Sequence, residues 1–187
     1  MLKLYGGARS RASIVQWYLE ELGAEYEFVQ LDMQGGEHKL PSYLAINPMG
    51  QVPAITDGNN VKVWESGAIL IYLAEKFGKM PTTPQGKAEV YQWVLFANSS
   101  LSMGLTPNEN RNEVMKRYLQ PLNDILSSSP FMLGDKFGVV DVALGSILAY
   151  IPMMFQDVDL SLYPNIQGYL KRLGDRLAFR KAIMKQD

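Results

Sequence analysis

The chain has 187 residues, 47% hydrophobic and 20% charged, the size and apolar share of a soluble globular protein able to bury a core. With Lys+Arg 18 against Asp+Glu 19 the formal net charge is −1, which offers no global attraction for nucleic acid or an anionic membrane. The absence of cysteine and the single histidine exclude disulfides, thiolate zinc sites, cysteine nucleophiles and His-rich metal centres.

Residues 2–5 read as a strand, too short and too soon followed by glycines and arginines to be the apolar part of a secretory signal, and no apolar run approaches the ~20 residues of a membrane span. A cytoplasmic, unprocessed chain is therefore expected. Val15, Tyr18, Leu19 and Leu22 fall at helical spacing before Gly23, and 26–31 reads as a second strand. A strand, a helix and a strand within about thirty residues predict a right-handed βαβ unit with parallel strands. The loop 6–11 then lies at the carboxyl end of the first strand, where open α/β sheets place ligands.

Residues 39–45 form a weak helical pattern, Asn47-Pro48-Met49-Gly50 is a turn, and 52–56 with 61–64 flank Asp57-Gly58-Asn59-Asn60 as a hairpin. Leu70, Leu73, Ala74 and Phe77 continue as a helix, with Ser66 as N-cap and Gly78 as its stop. Residues 79–84 carry two prolines and read as a linker. Beyond it the strand signals cease. Val90, Trp93, Val94, Ala97 and Leu101 keep helical spacing, as do Val140 to Ile151, and 109–126 and 166–184 also read as helices.

Several residues carry potential chemistry. Pro53 interrupts a strand ladder: either it sits on an edge strand, or a cis peptide there turns the Val52 backbone toward a peptide ligand. Glu65-Ser66 at a helix start is either an ordinary cap or a carboxylate-binding N-terminus. His38 lacks partners for a metal but can bond a ligand carboxylate, and Asp141 after Gly138 reads as a structural cap. The loop from Tyr5 to Arg11 gathers a phenol, a hydroxyl and two guanidiniums. It lacks a phosphate-loop motif, and its donors suit an anion such as a thiolate.

These features resemble the cytosolic glutathione S-transferases, of bacterial type, over nearly the whole chain. The runs that carry the resemblance are Asn47-Pro48-Met49-Gly50-Gln51-Val52-Pro53-Ala54 and Trp64-Glu65-Ser66-Gly67-Ala68-Ile69-Leu70. The resemblance implies an α/β thioredoxin-like N-terminal domain (1–78), a linker (79–84) and an all-α helical C-terminal domain (85–187). It implies glutathione as cosubstrate, with Val52 and cis-Pro53 pairing its backbone, Gln51 touching the tripeptide, Glu65 and Ser66 receiving the γ-glutamyl end and His38 the glycyl carboxylate. For activation of the thiol, Tyr5 and Ser10 are equal candidates, with Arg11 as electrostatic support. The bland readings are a strand-end core aromatic for Tyr5 and a solvated helix start for Arg11. The acceptor pocket would lie between the domains, lined by residues 7–9 and the helix end near Leu101, Met103 and Leu105, with helix packing as the simpler reading of the methionines and no site assigned to them. The expected protein is a homodimeric detoxifying transferase that adds glutathione to apolar electrophiles, with no metal, nucleic acid or membrane partner. A non-catalytic binding or scaffold protein of the same fold is the alternative.

Overall fold

The computed structural model describes residues 1–58, 60–106, 110–155 and 157–185. Its first half is a four-stranded sheet in the order β2-β1-β3-β4, built from β1 (Leu2–Gly6), β2 (Tyr26–Gln30), β3 (Ala54–Asp57) and β4 (Val61–Trp64). β1 and β2 are parallel, joined through α1 (Ala12–Leu22), while β1/β3 and β3/β4 are antiparallel. The βαβ unit is thus as the apolar spacing predicts, and Gly23 ends α1 in the left-handed conformation (φ 60°), which a residue without Cβ adopts at little cost.

The alternation of β1 decides which side chains meet what. Leu2 and Leu4 are buried with α1 and with α3 (Ser66–Lys76), whereas Tyr5 lies on the opposite face against Tyr43 of α2 (Pro41–Leu44), ring centroids 5.9 Å apart. The helix expected over 39–45 is divided: a 3₁₀ turn (Glu37–Lys39) precedes α2, with Pro41 fitting the first turn of the latter. The strand expected from residue 52 begins at Ala54 instead, because proline has no N–H to give to a ladder. Asn59, in the expected turn after β3, lies outside the described residues.

The second half is all helical. α4 (Pro84–Phe96) starts under a Thr83 cap and widens into a π-helical turn (Ala97–Leu101) before α5 (Ser102–Gly104). There follow α6 (Arg111–Ile125), α7 (Val139–Met154), α8 (Pro164–Gly174), α9 (Leu177–Phe179) and a closing π turn (Arg180–Met184). Glu109, where the sequence pattern starts a helix, is outside the described residues. The single helix expected over 166–184 is broken, because Arg176 takes an extended conformation (ψ 128°) and turns its guanidinium onto Glu21 of α1. Asp141 caps α7 as expected: its carboxylate accepts from the Gly138 N–H (2.9 Å), the Met132 N–H (3.0 Å) and the Tyr169 hydroxyl (2.9 Å). Burial of that carboxyl outweighs the three donors and raises its pKa above the usual range.

One apolar core runs through both halves, so α1 serves each. Trp17 of α1, fully buried, meets Phe179 of α9 edge-on at 4.8 Å and Phe137 at 5.7 Å. The fold is therefore a thioredoxin-like α/β domain packed on a helical domain.

Candidate functional site

Strand register brings the sequence-predicted residues together. Tyr5 pairs with Ala54 and Ala54 with Trp64, so the loop after β1, the Val52-Pro53 segment before β3 and Glu65-Ser66 after β4 all emerge at one end of the sheet. There they border a cavity of about 520 Å³ lined by Arg11, Met33, His38, Asn47, Gly50, Gln51, Val52, Pro53, Glu65 and Ser66.

The Val52-Pro53 peptide is cis, and the sheet ladder ends at Ala54, so the Val52 main chain takes no part in it. The segment is held from below. Tyr43 Oη and Asn47 Nδ2 both donate to the Gln51 carbonyl, at 2.6 and 2.7 Å, while Asn47 Oδ1 accepts from the Met49 N–H. Burial and the nearby Tyr5 push the Tyr43 phenol up to about 12, so it stays a donor through the neutral range. Gly50 turns the chain at φ 62°, where an added Cβ would stand 3.1 Å from the His38 carbonyl oxygen.

Glu65 occupies φ 69°, ψ 119°, a conformation costly for a side chain with a Cβ, and strain of this kind clusters at ligand sites. Ser66 is the first residue of α3 and not its cap: among the described residues its hydroxyl does not reach back to the helix N–H groups but donates to Asn98 Oδ1 at 2.8 Å. Its proton is thus committed to Asn98, leaving its lone pairs and the backbone N–H groups of α3 for a ligand.

Arg11 is half-buried, in contrast to a solvated helix start. Its Nη2 donates to Asn98 Oδ1 at 2.6 Å and its Nη1 faces Ser102 Oγ at 3.4 Å. Among the described residues it forms no ion pair. Burial lowers its pKa, offset in part by Tyr150 and Glu65, yet a guanidinium remains protonated. Among the described residues Arg11 Nε and His38 Nδ1 are buried without a hydrogen-bond partner, and both belong to residues lining the cavity. Together these groups can receive an anionic, extended peptide-like molecule.

Of the three residues expected to act on a thiol, only Arg11 lines this cavity. Tyr5 packs on Tyr43 beneath it. Ser10 lines a smaller cavity of about 150 Å³, and its hydroxyl braces the loop, accepting from the Gly7 N–H at 3.1 Å and donating to the Gly7 carbonyl at 3.1 Å. The expected acceptor wall is also different. Leu101 and Leu105 are core residues, and Met103 alone is exposed (72%), because the π turn rotates the end of α4. Sequence reasoning missed Asn98, Met33 and Asn47. Asn47 carried a signal in its turn motif; Asn98 had none beyond a polar residue beside an apolar stripe.

Similarity to known proteins runs along most of the chain. The family model described as "Glutathione S-transferase, N-terminal domain" matches residues 1–75, and that described as "Glutathione S-transferase, C-terminal domain" matches 108–172. Glutathione S-transferase GstB of Escherichia coli (strain K12) is 30% identical, covering 98% of this chain and 98% of its own. Disulfide-bond oxidoreductase YfcG of the same strain is 27% identical, covering 99% and 95%. Among solved structures, the glutathione transferase URE2P6 from Phanerochaete chrysosporium in complex with oxidized glutathione superposes with a TM-score of 0.84 at 29% identity, over 98% of this chain and 95% of that one. The chain belongs to the glutathione S-transferase family.

Proposed function

We propose that the protein is a glutathione transferase that binds glutathione in the 520 Å³ cavity and adds its thiolate to apolar electrophiles. In this reading residues 1–78 hold glutathione, 85–187 complete the acceptor side and 79–84 link them. The observation that supports it most is the convergence on one cavity of an unladdered Val52 main chain, the N-terminus of α3 and a half-buried guanidinium that has no carboxylate partner among the described residues.

Each group then has a task. The Val52 N–H and carbonyl pair with the cysteinyl unit beside Pro53, in the manner of strand addition. Glu65 takes the γ-glutamyl ammonium, and the Ser66 N–H, at a positive helix end, takes its carboxylate. His38 meets the glycyl carboxylate, and Gln51 borders the tripeptide. Arg11 favours the thiolate over the thiol by its charge, and deprotonation precedes attack because the thiolate is the nucleophile. Ser10 holds the loop that sets this geometry, and Tyr5 supports the cavity floor. The thiol proton leaves to solvent, and the thiolate sulfur then bonds the electrophilic carbon, displacing halide from an aromatic halide or adding to an isothiocyanate carbon whose nitrogen takes up a proton from solvent.

A homodimer is part of this reading. Met49 on the turn and Leu95 on α4 are exposed apolar side chains (60% and 59%) suited to an interface between copies. Cytoplasmic location and a detoxifying role are also part of the reading; among the described residues no helix is long and apolar enough to cross a membrane.

A second reading is favoured by the likeness to a disulfide-bond oxidoreductase over 99% of the chain. Since the chain has no cysteine, every sulfur in such an exchange would come from glutathione and the disulfide substrate. Assay of one preparation with an aromatic halide, an isothiocyanate and a mixed disulfide separates the readings. Conjugation is the expected outcome. Disulfide reduction alone favours the second reading, and glutathione binding without either reaction identifies a non-catalytic binding protein.

A further inference from the structure

Asn98 joins three segments that are distant in sequence. It sits in the π turn that ends α4, and its side-chain oxygen accepts from Arg11 Nη2 at 2.6 Å and from the Ser66 hydroxyl at 2.8 Å. The orientation of its amide follows from the partners. Arg11 can only donate, so an oxygen must face it; the Val94 carbonyl can only accept, so Nδ2 must face that, at 2.9 Å. Gly67 makes room for this arrangement: a Cβ there would stand 3.1 Å from Asn98 Nδ2 and 3.3 Å from a Val94 methyl. π turns inside α-helices are frequent at functional sites, and this one carries Asn98, whose side chain reaches across the domain boundary.

The chemistry of the acceptor matters as much as its place. A buried guanidinium is ordinarily met by a carboxylate, which would cancel its charge. Here the anchor is a neutral amide. The titratable groups facing Arg11 are Glu65, exposed at the start of α3, and Tyr150 on α7, and neither is hydrogen-bonded to it among the described residues.

We propose that Asn98 is a positioning residue for thiol activation, fixing Arg11 and Ser66 together while leaving the Arg11 charge free to act on bound glutathione. This rests on the reading that glutathione occupies the cavity. Its corollary is that a carboxylate at position 98 keeps the acceptor that meets Arg11 and Ser66, gives up the bond to the Val94 carbonyl, and removes the electrostatic effect.

The test compares the full-length wild type with Asn98→Asp and Asn98→Ala. Binding of S-methylglutathione, which has no ionisable thiol, is measured by calorimetry, and the thiol of bound glutathione is titrated by thiolate absorbance at saturation. Asn98→Asp is expected to raise the thiol pKa by about one unit. Asn98→Ala, which releases both donors, is expected to weaken S-methylglutathione binding about tenfold and to raise the thiol pKa as well. If the carboxylate variant does not fold, as judged by circular dichroism, the Ala variant carries the same test. A wild type that binds S-methylglutathione and variants that keep its thiol pKa would overturn the role of Asn98 and leave the glutathione reading standing. A wild type that binds no S-methylglutathione overturns both.

Discussion

Arg176 grips Glu21 through two hydrogen bonds, Nε to Oε1 at 2.7 Å and Nη2 to Oε2 at 2.6 Å, between residues 155 positions apart. The same carboxylate accepts from Trp17 Nε1 at 2.9 Å, and the guanidinium lies 3.7 Å over the Phe137 ring. Parallel two-point contact of this kind is the strong form of an ion pair. It fastens α1 of the sheet domain to the junction of α8 and α9.

Removing Arg176 leaves a carboxylate whose side chain is only 11% exposed without its counter-charge. Arg176→Ala is therefore expected to cost about 2–3 kcal/mol, between the values for exposed and fully buried pairs. Glu21→Gln keeps an acceptor for Trp17 and costs about half as much. Urea unfolding of the two variants checks the order; equal losses would contradict it.

Asp57 accepts from the Tyr72 hydroxyl at 2.6 Å and pairs with Lys76, and these contacts, Lys76 first, hold its carboxyl below the usual range. Tyr72, partly buried and beside this carboxylate, is pushed up to about 12. A carboxyl with a depressed folded pKa contributes stability above its unfolded value of about 3.9 and loses it as pH falls through the folded value. Lys76 is 37% exposed, so solvent screens the pair and the contribution is about 0.5–1 kcal/mol. Asp57→Asn is expected to be less stable by that amount at pH 7 and to converge with the wild type in acid. Thermal unfolding between neutral pH and about pH 3 measures it.

Tyr5→Phe is expected to keep turnover within about twofold, since its ring packs on Tyr43 and Tyr5 is not one of the residues that line the cavity. Ser10→Ala removes the brace on Gly7 and a contact to the Ala12 N–H at 3.3 Å, and a loosened loop is expected to lower kcat about tenfold. Steady-state kinetics with an aromatic halide decides between them. Loss of turnover in Tyr5→Phe with Ser10→Ala intact would reverse the two assignments.

Much of this was legible in the sequence because local signals and tertiary needs agree. Apolar spacing gave β1, α1 and β2 their type and parallel arrangement, and the Val52-Pro53 and Glu65-Ser66 pairs pointed to one sheet end. The Tyr5 placement was also latent there: with Leu2 and Leu4 in the core, alternation puts Tyr5 on the other face. What stayed hidden depends on distant partners. The break before α9 follows from Arg176 reaching Glu21, and Ser66 gives up its capping bond because Asn98, 32 residues away, offers an acceptor. No spacing rule encodes a single polar side chain turned inward by a π turn.

In the proposed function Arg11 holds glutathione as thiolate in the cavity it shares with Pro53 and Ser66. The most direct measurement is the pH titration of thiolate absorbance for glutathione bound to the wild type and to Arg11→Ala. A wild-type thiol about two units below the ordinary value of about 8.5 is expected, with a return of at least about one unit toward it in Arg11→Ala. A bound thiol that titrates at its ordinary value in the wild type, or one equally depressed in both proteins, would contradict that role of Arg11.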